Sequence, residues 1–163
     1  MRLLSAVCFV GGALLTFIAC SSNVTPMTQV DLTDLGTRYA AAWSSRDPAF
    51  LASFYAENGT LAVNAGPPSV GRAAVIATAR AYMTAFPDMV VKMTRMGQED
   101  SHPVFHWLWT GTNKGPGGTG KSVRITGYEE WILDARGRIV ESKGHYDEAE
   151  YQRQLKAGAP PTQ

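Results

Sequence analysis

The spacing of apolar residues divides the chain into a helical first half and a strand-rich second half. Residues 32–45 and residues 71–86 each place apolar side chains on one stripe at helical spacing. Pro87 directly follows the second stripe, where it cannot continue the helix. The stripes consist of Leu32, Leu35, Tyr39, Ala42 and Trp43, and of Val75, Ile76, Ala79, Tyr82, Met83 and Phe86. We expect two amphipathic helices packed on a common core.

A further helix is predicted between these two. Asp47 has the side chain of a helix N-cap, and Pro48 suits the first helical position. The apolar positions of this helix are Phe50, Leu51, Phe54 and Tyr55. Asn58-Gly59 is a helix stop signal, and residues 60–63 then predict a short strand.

The period changes from helix to strand after Pro87. Four runs are rich in β-branched and aromatic residues, namely 89–98, 103–113, 122–133 and 138–146. Their connections, Gln98–His102, Lys114–Lys121 and Asp134–Gly137, read as hairpin loops. A last amphipathic segment begins at Asp147, with Glu150 three residues later as in a capping box. The order of elements predicts an α+β fold with an antiparallel meander and a short C-terminal helix.

One segment matches the sequence pattern of a nucleotide-binding motif but lacks the structural context that the motif requires. Residues 115–122, GPGGTGKS, fit the phosphate-binding pattern G-x-x-x-x-G-K-[ST] at every position. That loop works only when a helix follows, because the helix N-terminus supplies the N–H groups and the dipole that bind phosphate. The residues after Ser122 are β-branched and aromatic without a helical stripe. We therefore interpret the segment as a glycine-rich hairpin loop and expect no nucleotide.

The N-terminus has the layout of an export signal. Arg2 precedes an apolar run without charge, which gives way to a small, polar stretch after Cys20. FIAC, residues 17–20, resembles the bacterial lipoprotein cleavage box, in which small residues precede a lipidated cysteine. We predict a signal peptide over residues 1–19 and a membrane-anchored lipoprotein of the cell envelope, acylated on Cys20. Plain secretion and a spanning anchor are the alternatives.

The predicted processing also defines the remaining boundaries. Residues 20–33 are expected to form the lipidated tether, residues 34–157 the folded domain and residues 158–163 a disordered tail. Cleavage removes Arg2 from the 15 basic residues, so that 14 basic residues balance 14 acidic ones. This neutral balance argues against nucleic acid as a partner.

Metal and cofactor chemistry find no support in the sequence. The three histidines, His102, His106 and His145, form no cluster with cysteines or carboxylates at ligand-like spacing. No serine lies in a nucleophile-elbow context. We expect neither a metal nor a cofactor.

Most of residues 34–156 resemble the nuclear-transport-factor-2-like superfamily, and within it the SnoaL-like polyketide cyclase and ester cyclase domains. The likeness is carried by YAAAWSSRDPAFLASFYAENGTL, VGRAAVIA, WTGTNKGPGGTGKSVRITGYEEW and GRIVESKGHYDEAEYQRQL. The resemblance implies a cone in which three N-terminal helices pack over the concave face of a curved antiparallel sheet and enclose a mostly apolar pocket. Fold alone does not specify an activity, so each residue needs its own argument.

Tyr39 is the first residue that the resemblance singles out. A tyrosine eight residues before the aspartate that opens the second helix donates a hydrogen bond to the substrate oxyanion in ketosteroid isomerases, and Tyr39 stands at that spacing from Asp47. A buried phenol can serve this role because it keeps its proton at neutral pH. The alternative is an inward aromatic side chain with its hydroxyl satisfied locally.

The isomerase base is absent, since the matching position is Val63, which cannot transfer a proton. The cyclase branch instead implies an acid/base aspartate at Asp147, with His145 two residues earlier on the same strand face. The alternative for Asp147 is the N-cap of the last helix.

The remaining pocket residues are chosen from polar and aromatic positions of the helices and strands. They are Trp43, Tyr55, Asn64, Tyr82, His106, Trp109, Tyr128 and Glu130. In residues 122–133 the alternation places Tyr128 and Glu130 on one face and Glu129 and Trp131 on the other, and the sequence leaves the inward face undetermined.

The partner predicted from these residues is a small, largely apolar organic molecule. The first hypothesis is acid/base chemistry of cyclase or isomerase type without a cofactor. The second is a ligand-binding or accessory envelope lipoprotein without catalysis. A homodimer through the sheet is expected from the superfamily resemblance.

Overall fold

The structure, a computed structural model, describes residues 29–100 and 102–160. Its elements in chain order are α1 (Gln29–Ser44), α2 (Pro48–Ala52), β1 (Tyr55–Val63), β2 (Ser69–Val70), α3 (Gly71–Ala85), β3 (Val90–Glu99), β4 (His102–Thr112), β5 (Ser122–Leu133), β6 (Ile139–Tyr146) and α4 (Glu148–Ala157). The predicted α+β fold, with three N-terminal helices and a short C-terminal helix, is confirmed.

The two long amphipathic helices form as their stripes predict. All five stripe residues of α1 are buried, and four of the six in α3 are buried while Ile76 and Tyr82 are half-buried. The helix α1 packs mainly on β3, and α3 packs on β1 and α2. Because α1 begins at Gln29, it includes the last part of the segment that was expected to be tether.

The second helix is shorter than predicted. Asp47 caps it as expected, since its Oδ1 accepts hydrogen bonds from the backbone N–H groups of Ala49 and Phe50 at 2.9 and 3.1 Å. The helix ends at Ala52, and Tyr55 already opens β1, so the helical assignment of Tyr55 is wrong. Tyr55 and the residues after it form a strand because they pair with β6, which lies far away in the sequence.

Gly59 is part of an irregularity in that strand pairing, not a helix stop. The register between β1 and β6 shifts between Tyr55 and Thr60. A Cβ atom on Gly59 would lie 2.5 Å from the Ile139 carbonyl oxygen. The strands β1 and β6 therefore approach each other this closely only because residue 59 has no side chain.

The six strands form one mixed sheet in the order β2-β1-β6-β5-β4-β3. The strands β3 to β6 form the predicted antiparallel meander. The pair β1 and β6 is parallel, which corrects the prediction of a wholly antiparallel sheet. Further register shifts lie in β3 and near the end of β5, where such irregularities bend a sheet.

The two faces of the sheet differ in burial. We call the face that α1 and α3 cover the inner face; on β4 it carries Phe105, Trp107 and Trp109, all buried. On β5 the inner face carries Val123, Ile125, Glu129 and Trp131, also all buried. The opposite, outer face carries exposed side chains such as Tyr128 and Ile132.

The glycine-rich segment is a hairpin loop as predicted. It joins β4 to β5, and β5 begins at Ser122, so no helix follows the loop. The backbone N–H of Gly115 donates to the carbonyl oxygen of Ala85 at 3.1 Å and ties the loop to the end of α3. The local requirement for phosphate binding is therefore missing.

The predictions for the signal peptide and Cys20, and for residues 161–163 of the tail, lie outside the described residues. Within the described ranges, no helix is both long and apolar enough to cross a membrane.

Candidate functional site

A small cavity lies between the inner face of the sheet and the helices. Its volume is about 60 Å³. Its walls are Trp43, Leu61, Val63, Tyr82, Met89, Val91, Trp107, Trp109, Glu129, Gly144 and Tyr146. A cavity of this volume is large enough for water and admits a few heavy atoms of a ligand, since an apolar cavity of about 150 Å³ holds a benzene molecule. A small organic molecule, or one end of a larger one, fits this space.

Glu129 is the one carboxylate in the cavity wall, and it is buried. Three donors bind the same oxygen, Oε2, namely Ser142 Oγ at 2.6 Å, Tyr39 Oη at 2.9 Å and Trp131 Nε1 at 3.1 Å. Within the described part of the chain, Oε1 accepts no hydrogen bond. The carboxyl group is thus held on one side and free for a ligand on the other.

Four separate elements bring these groups together. Tyr39 comes from α1, Ser142 from β6, and Trp131 lies two residues from Glu129 on β5, so that both point to the inner face. Tyr55, at the start of β1, lies 2.6 Å from Tyr39 between hydroxyl oxygens. Tyr39 has a single hydroxyl hydrogen, which it donates in the hydrogen bond to Glu129. Tyr55 is therefore the donor in the hydrogen bond between the two tyrosines.

The position of Tyr55 is fixed by a side chain of α3. Arg72 donates to the backbone carbonyl oxygen of Tyr55 from Nε at 2.9 Å and from Nη2 at 2.7 Å. Arg72 belongs to the VGR stretch that helped to reveal the family resemblance. Its role here is to hold the start of β1, and with it Tyr55, in place beneath the cavity.

Burial dominates the electrostatics of this group. Burial raises the pKa of the Glu129 carboxyl above its ordinary value, and the hydrogen bonds from Ser142, Trp131 and Tyr39 offset part of that rise. Burial, together with the nearby Glu129 charge, also raises the pKa values of Tyr39 and Tyr55. Both phenols therefore stay protonated, and Glu129 is the acidic member of the group, with a pKa above its ordinary value.

Two more phenols belong to the cavity wall, on the side near α4. Burial raises the pKa values of Tyr82 and Tyr146, whose hydroxyl groups interact with each other and with Glu148. Asn64 holds this side together, because its Oδ1 accepts from the backbone N–H of Tyr146 at 3.0 Å and its Nδ2 donates to Glu148 at 3.2 Å. Asn64 thus positions Tyr146 and does not line the cavity itself.

Some of the residues predicted from the sequence line the cavity, and others do not. Trp43, Tyr82 and Trp109 line the cavity. Tyr39 and Tyr55 are fully buried, but they contact Glu129 and are not part of the cavity wall. The expectation that the Tyr39 phenol projects into the hollow is therefore corrected, since its hydroxyl group binds the carboxylate instead.

Four of the predicted residues lie on the outer face, away from the cavity. His106, Tyr128 and His145 stand side by side across three strands, with ring centroids 5.8 and 4.9 Å apart. His145 Nε2 lies 3.3 Å from Glu130 Oε2, although without the angle of a hydrogen bond. His106, Tyr128 and Glu130 are not part of the cavity wall, because strand alternation turns them away from the helices. His106 and Tyr128 instead line an outer groove together with Asn64, His145 and Asp147.

Asp147 is exposed and acts as a helix cap. Its Oδ1 accepts a hydrogen bond from the backbone N–H of Glu150 at 2.9 Å at the start of α4, which confirms the N-cap prediction. The Glu150 side chain instead binds Arg153 and Gln154, so the reciprocal half of the capping box is not made. Asp147 lies in a shallow outer groove together with His145 and Tyr128.

Eight of the eleven cavity residues were not predicted from the sequence, and three of these eight are charged or aromatic, namely Glu129, Trp107 and Tyr146. The signal for Glu129 was present, because it is the one charged side chain on a strand face otherwise made of Val123, Ile125 and Trp131. Trp107 lies over Gly127, where an added Cβ atom would be 2.4 Å from the indole ring. Among the described residues, no three His, Cys, Asp or Glu side chains are grouped closely enough to hold a metal ion.

Solved structures share this architecture. A hypothetical protein with a ketosteroid isomerase-like fold from Catenulispora acidiphila DSM 44928, in complex with trimethylamine, matches with a TM-score of 0.66 and 19% identity, over 75% of this chain and 92% of that one. The epoxide hydrolase/cyclase-like enzyme SalBIII, of pyran ring formation in polyether salinomycin, matches with a TM-score of 0.64 and 16% identity, over 75% and 95%.

An NTF2-like protein of unknown function from Burkholderia pseudomallei K96243 matches with a TM-score of 0.65 and 19% identity, over 76% of this chain and 96% of that one. At such identities these likenesses establish the fold alone. No curated protein matches the chain.

A family comparison covers most of the sequence. The family described as SnoaL-like polyketide cyclase matches residues 33–155, from α1 to near the end of α4. This range contains every residue that contacts the cavity or Glu129. The chain belongs to the SnoaL-like polyketide cyclase family and has the nuclear-transport-factor-2-like fold.

Proposed function

We propose that the cavity binds a small organic molecule and that Glu129 exchanges a proton with it. The observation that supports this is the asymmetry of the carboxyl group. Oε2 holds three donors, while Oε1 has no partner in the described residues and the side chain lines the cavity. A proton on Glu129 therefore resides on Oε1, where a bound molecule can receive it or supply it.

The surroundings suit Glu129 to acid/base work. Burial raises the pKa of this carboxyl above its ordinary value, so that it holds its proton more readily than an exposed glutamate does. The hydrogen bonds from Tyr39, Ser142 and Trp131 fix the orientation of the group and stabilise its ionised form. Tyr39 is thus a positioning residue here. A solved neighbour of the same fold is in complex with trimethylamine, which supports a small-molecule partner.

Binding without turnover is the second candidate. The wall of the cavity has one carboxylate and two phenols with raised pKa values, so among the described residues it has no second group that titrates near neutral pH. Val63, at the position of the isomerase base, is part of the apolar wall. An envelope protein that only holds its ligand needs no more than this.

A hydrogen-exchange assay separates the two. Small ketones, with and without an amino group, are incubated with the protein in D2O, and NMR follows both the tryptophan indole signals and loss of C–H signal beside the carbonyl group. Catalysis predicts exchange that Glu129→Gln slows at least about 100-fold. Glu130→Gln, the matched change on the outer face, should leave it unaltered. Ligands that shift the indole signals without exchange in the wild-type protein would favour binding alone.

The lipid anchor and the homodimer stay proposals beside this function. Export with acylation of Cys20 rests on the FIAC box and the uncharged apolar run before it. Mass spectrometry of the membrane fraction should find a diacylglycerol-modified Cys20 at the N-terminus. An unmodified chain in the soluble fraction would contradict it. Sedimentation of the exported domain tests the dimer.

A further inference from the structure

The Glu129 carboxyl group has no cationic partner in the described part of the chain. Its hydrogen-bond partners are two hydroxyl groups and one indole, all neutral. Among the described residues that form the cavity wall there is no Lys, Arg or His. Proteins rarely bury a carboxylate this deeply without pairing it with a positive charge. The missing counter-charge is the feature that a ligand would supply.

The rest of the cavity wall is mainly aromatic. Five of its eleven residues are Trp43, Tyr82, Trp107, Trp109 and Tyr146. Neighbouring rings meet at steep angles, 88° between Trp43 and Tyr82 and 85° between Tyr82 and Trp109. Contacts at such angles are the usual edge-to-face packing of aromatic side chains, and the five rings together give the cavity an aromatic wall. Aromatic walls attract alkylammonium ions, because the negative faces of rings stabilise the charge while the alkyl groups are buried.

We propose that the ligand of this cavity is a small alkylammonium ion, held by the aromatic walls and by the Glu129 carboxylate. The inference rests on the proposed function only in taking the cavity as the ligand site. The volume of about 60 Å³ limits the ion, or the charged end of a larger molecule, to a few heavy atoms. A neutral hydrocarbon would leave the carboxylate without a counter-charge, and an anion would be repelled by it.

Proton exchange at Oε1 is compatible with this ligand class. An amine that enters neutral takes the proton from the Glu129 carboxyl group and becomes an ammonium ion, while the carboxyl group becomes a carboxylate. The charge of the filled cavity does not change, and no further reactant is needed. The groups that face Glu129 from α1, β1 and β6 are Tyr39, Tyr55 and Ser142, none of which is positively charged.

Three probes of five heavy atoms test the inference. Tetramethylammonium and tert-butylammonium are cations, and tert-butanol is a neutral molecule of similar shape. We expect calorimetry on the wild-type domain to show both cations binding at least about tenfold more tightly than tert-butanol. Glu129→Gln should remove this preference, and Glu130→Gln should keep it, because Glu130 lies on the outer face.

The outcomes distinguish this inference from the proposed function. If tert-butanol binds as tightly as the cations, the ammonium inference is wrong and the proposed function stands. If none of the three probes binds, the ammonium inference is wrong, and the proposed function is decided by the hydrogen-exchange assay with the ketones. A cation preference that persists in Glu129→Gln also overturns the inference.

A second variant keeps the test valid if Glu129→Gln does not fold. Trp109→Leu keeps the cavity wall apolar but removes one of its five aromatic rings. It should weaken tetramethylammonium binding several-fold more than tert-butanol binding, because only the cation interacts with the ring face. An equal loss for both probes would contradict the inference.

Discussion

The inner and outer faces of the central sheet each receive one carboxylate from the same dipeptide, Glu129-Glu130. Glu129 is 5% exposed and accepts three hydrogen bonds on one oxygen. Glu130 is exposed, and its Oε2 lies 3.3 Å from Nε2 of His145. The two residues differ in surroundings and not in chemistry. Burial is what turns one of them into a candidate acid/base group.

The aromatic and polar residues show the same contrast. On the inner face, Tyr39 is fully buried with its hydroxyl group on Glu129. On the outer face, Tyr128 lies between two histidines and is 37% exposed. His106 contacts Arg95 there, and partial burial together with the Arg95 charge lowers the pKa of His106. The outer row is screened by solvent, so its interactions contribute little to stability.

The largest expected difference between the faces is in packing. Trp131→Ala should lower the free energy of unfolding by about 3–5 kcal/mol, because it empties a fully buried site and removes a hydrogen bond to Glu129. Ile132→Ala, one residue later on the outer face, should cost less than about 1 kcal/mol. Urea unfolding monitored by circular dichroism measures both. Equal losses would contradict the assignment of the inner face.

The hydroxyl groups of two tyrosines give the next comparison. Tyr39→Phe should cost about 1–3 kcal/mol, because it removes the hydroxyl group that joins Tyr55 to Glu129 and takes away one of the three donors to the buried carboxyl group. Tyr128→Phe should change stability by less than about 0.5 kcal/mol. The same urea experiment applies. A neutral Tyr39→Phe would show that the buried network contributes nothing to folding.

The pH dependence of stability separates the two carboxylates. Because burial raises the pKa of Glu129 above its ordinary 4.5, the folded state binds this proton more tightly than the unfolded state does. The resulting stability is fully present below pH 4.5 and is lost as the pH rises through the folded-state pKa. Relative to the wild type, Glu129→Gln should therefore gain stability as the pH rises through this window.

This difference is measured by urea unfolding at a series of pH values. Other shifted groups, such as Glu150 with a pKa lowered to about 2 by its bonds to Arg153 and Gln154, are common to both proteins and cancel in the difference. A constant difference between Glu129→Gln and wild type would mean that Glu129 is not perturbed.

The smallest expected effect concerns Asp147. Asp147→Ala should cost about 0.5–2 kcal/mol through loss of the cap on α4, and Asp147→Asn, which also caps helices well, should cost close to nothing. Neither should change the affinity of the cavity for tetramethylammonium, since Asp147 is not part of its wall. Loss of binding or of proton exchange in Asp147→Asn would restore Asp147 as a candidate catalytic residue.

Local signals predicted the elements well and long-range pairing less well. The stripes of α1 and α3, the Asp47 cap and the strands of the meander depend on neighbouring residues, so the sequence contains them. The end of α2 was missed because Phe54 and Tyr55 have helical spacing and yet join a strand that pairs with β6, more than 80 residues later. Nothing in the local sequence specifies that pairing.

The candidate site shows the same difference between what local sequence predicts and what long-range contacts decide. Tyr39 was identified from its spacing to Asp47, but its partner was not, because Glu129 approaches it from a strand 90 residues away. Glu130 was selected in place of Glu129 because alternation assigns neighbours to opposite faces without saying which face is covered.

The sequence alone determined the helices, the hairpin strands, the two sets of alternating residues on each strand, and the family. The tertiary structure decided which set points inward, that β1 lies parallel to β6, and that Glu129, Tyr39 and Ser142 meet at one oxygen. The physical reason is that periodicity is a property of neighbouring residues. Burial, and with it the raised pKa of Glu129, exists only once α1 and α3 cover one face of the sheet.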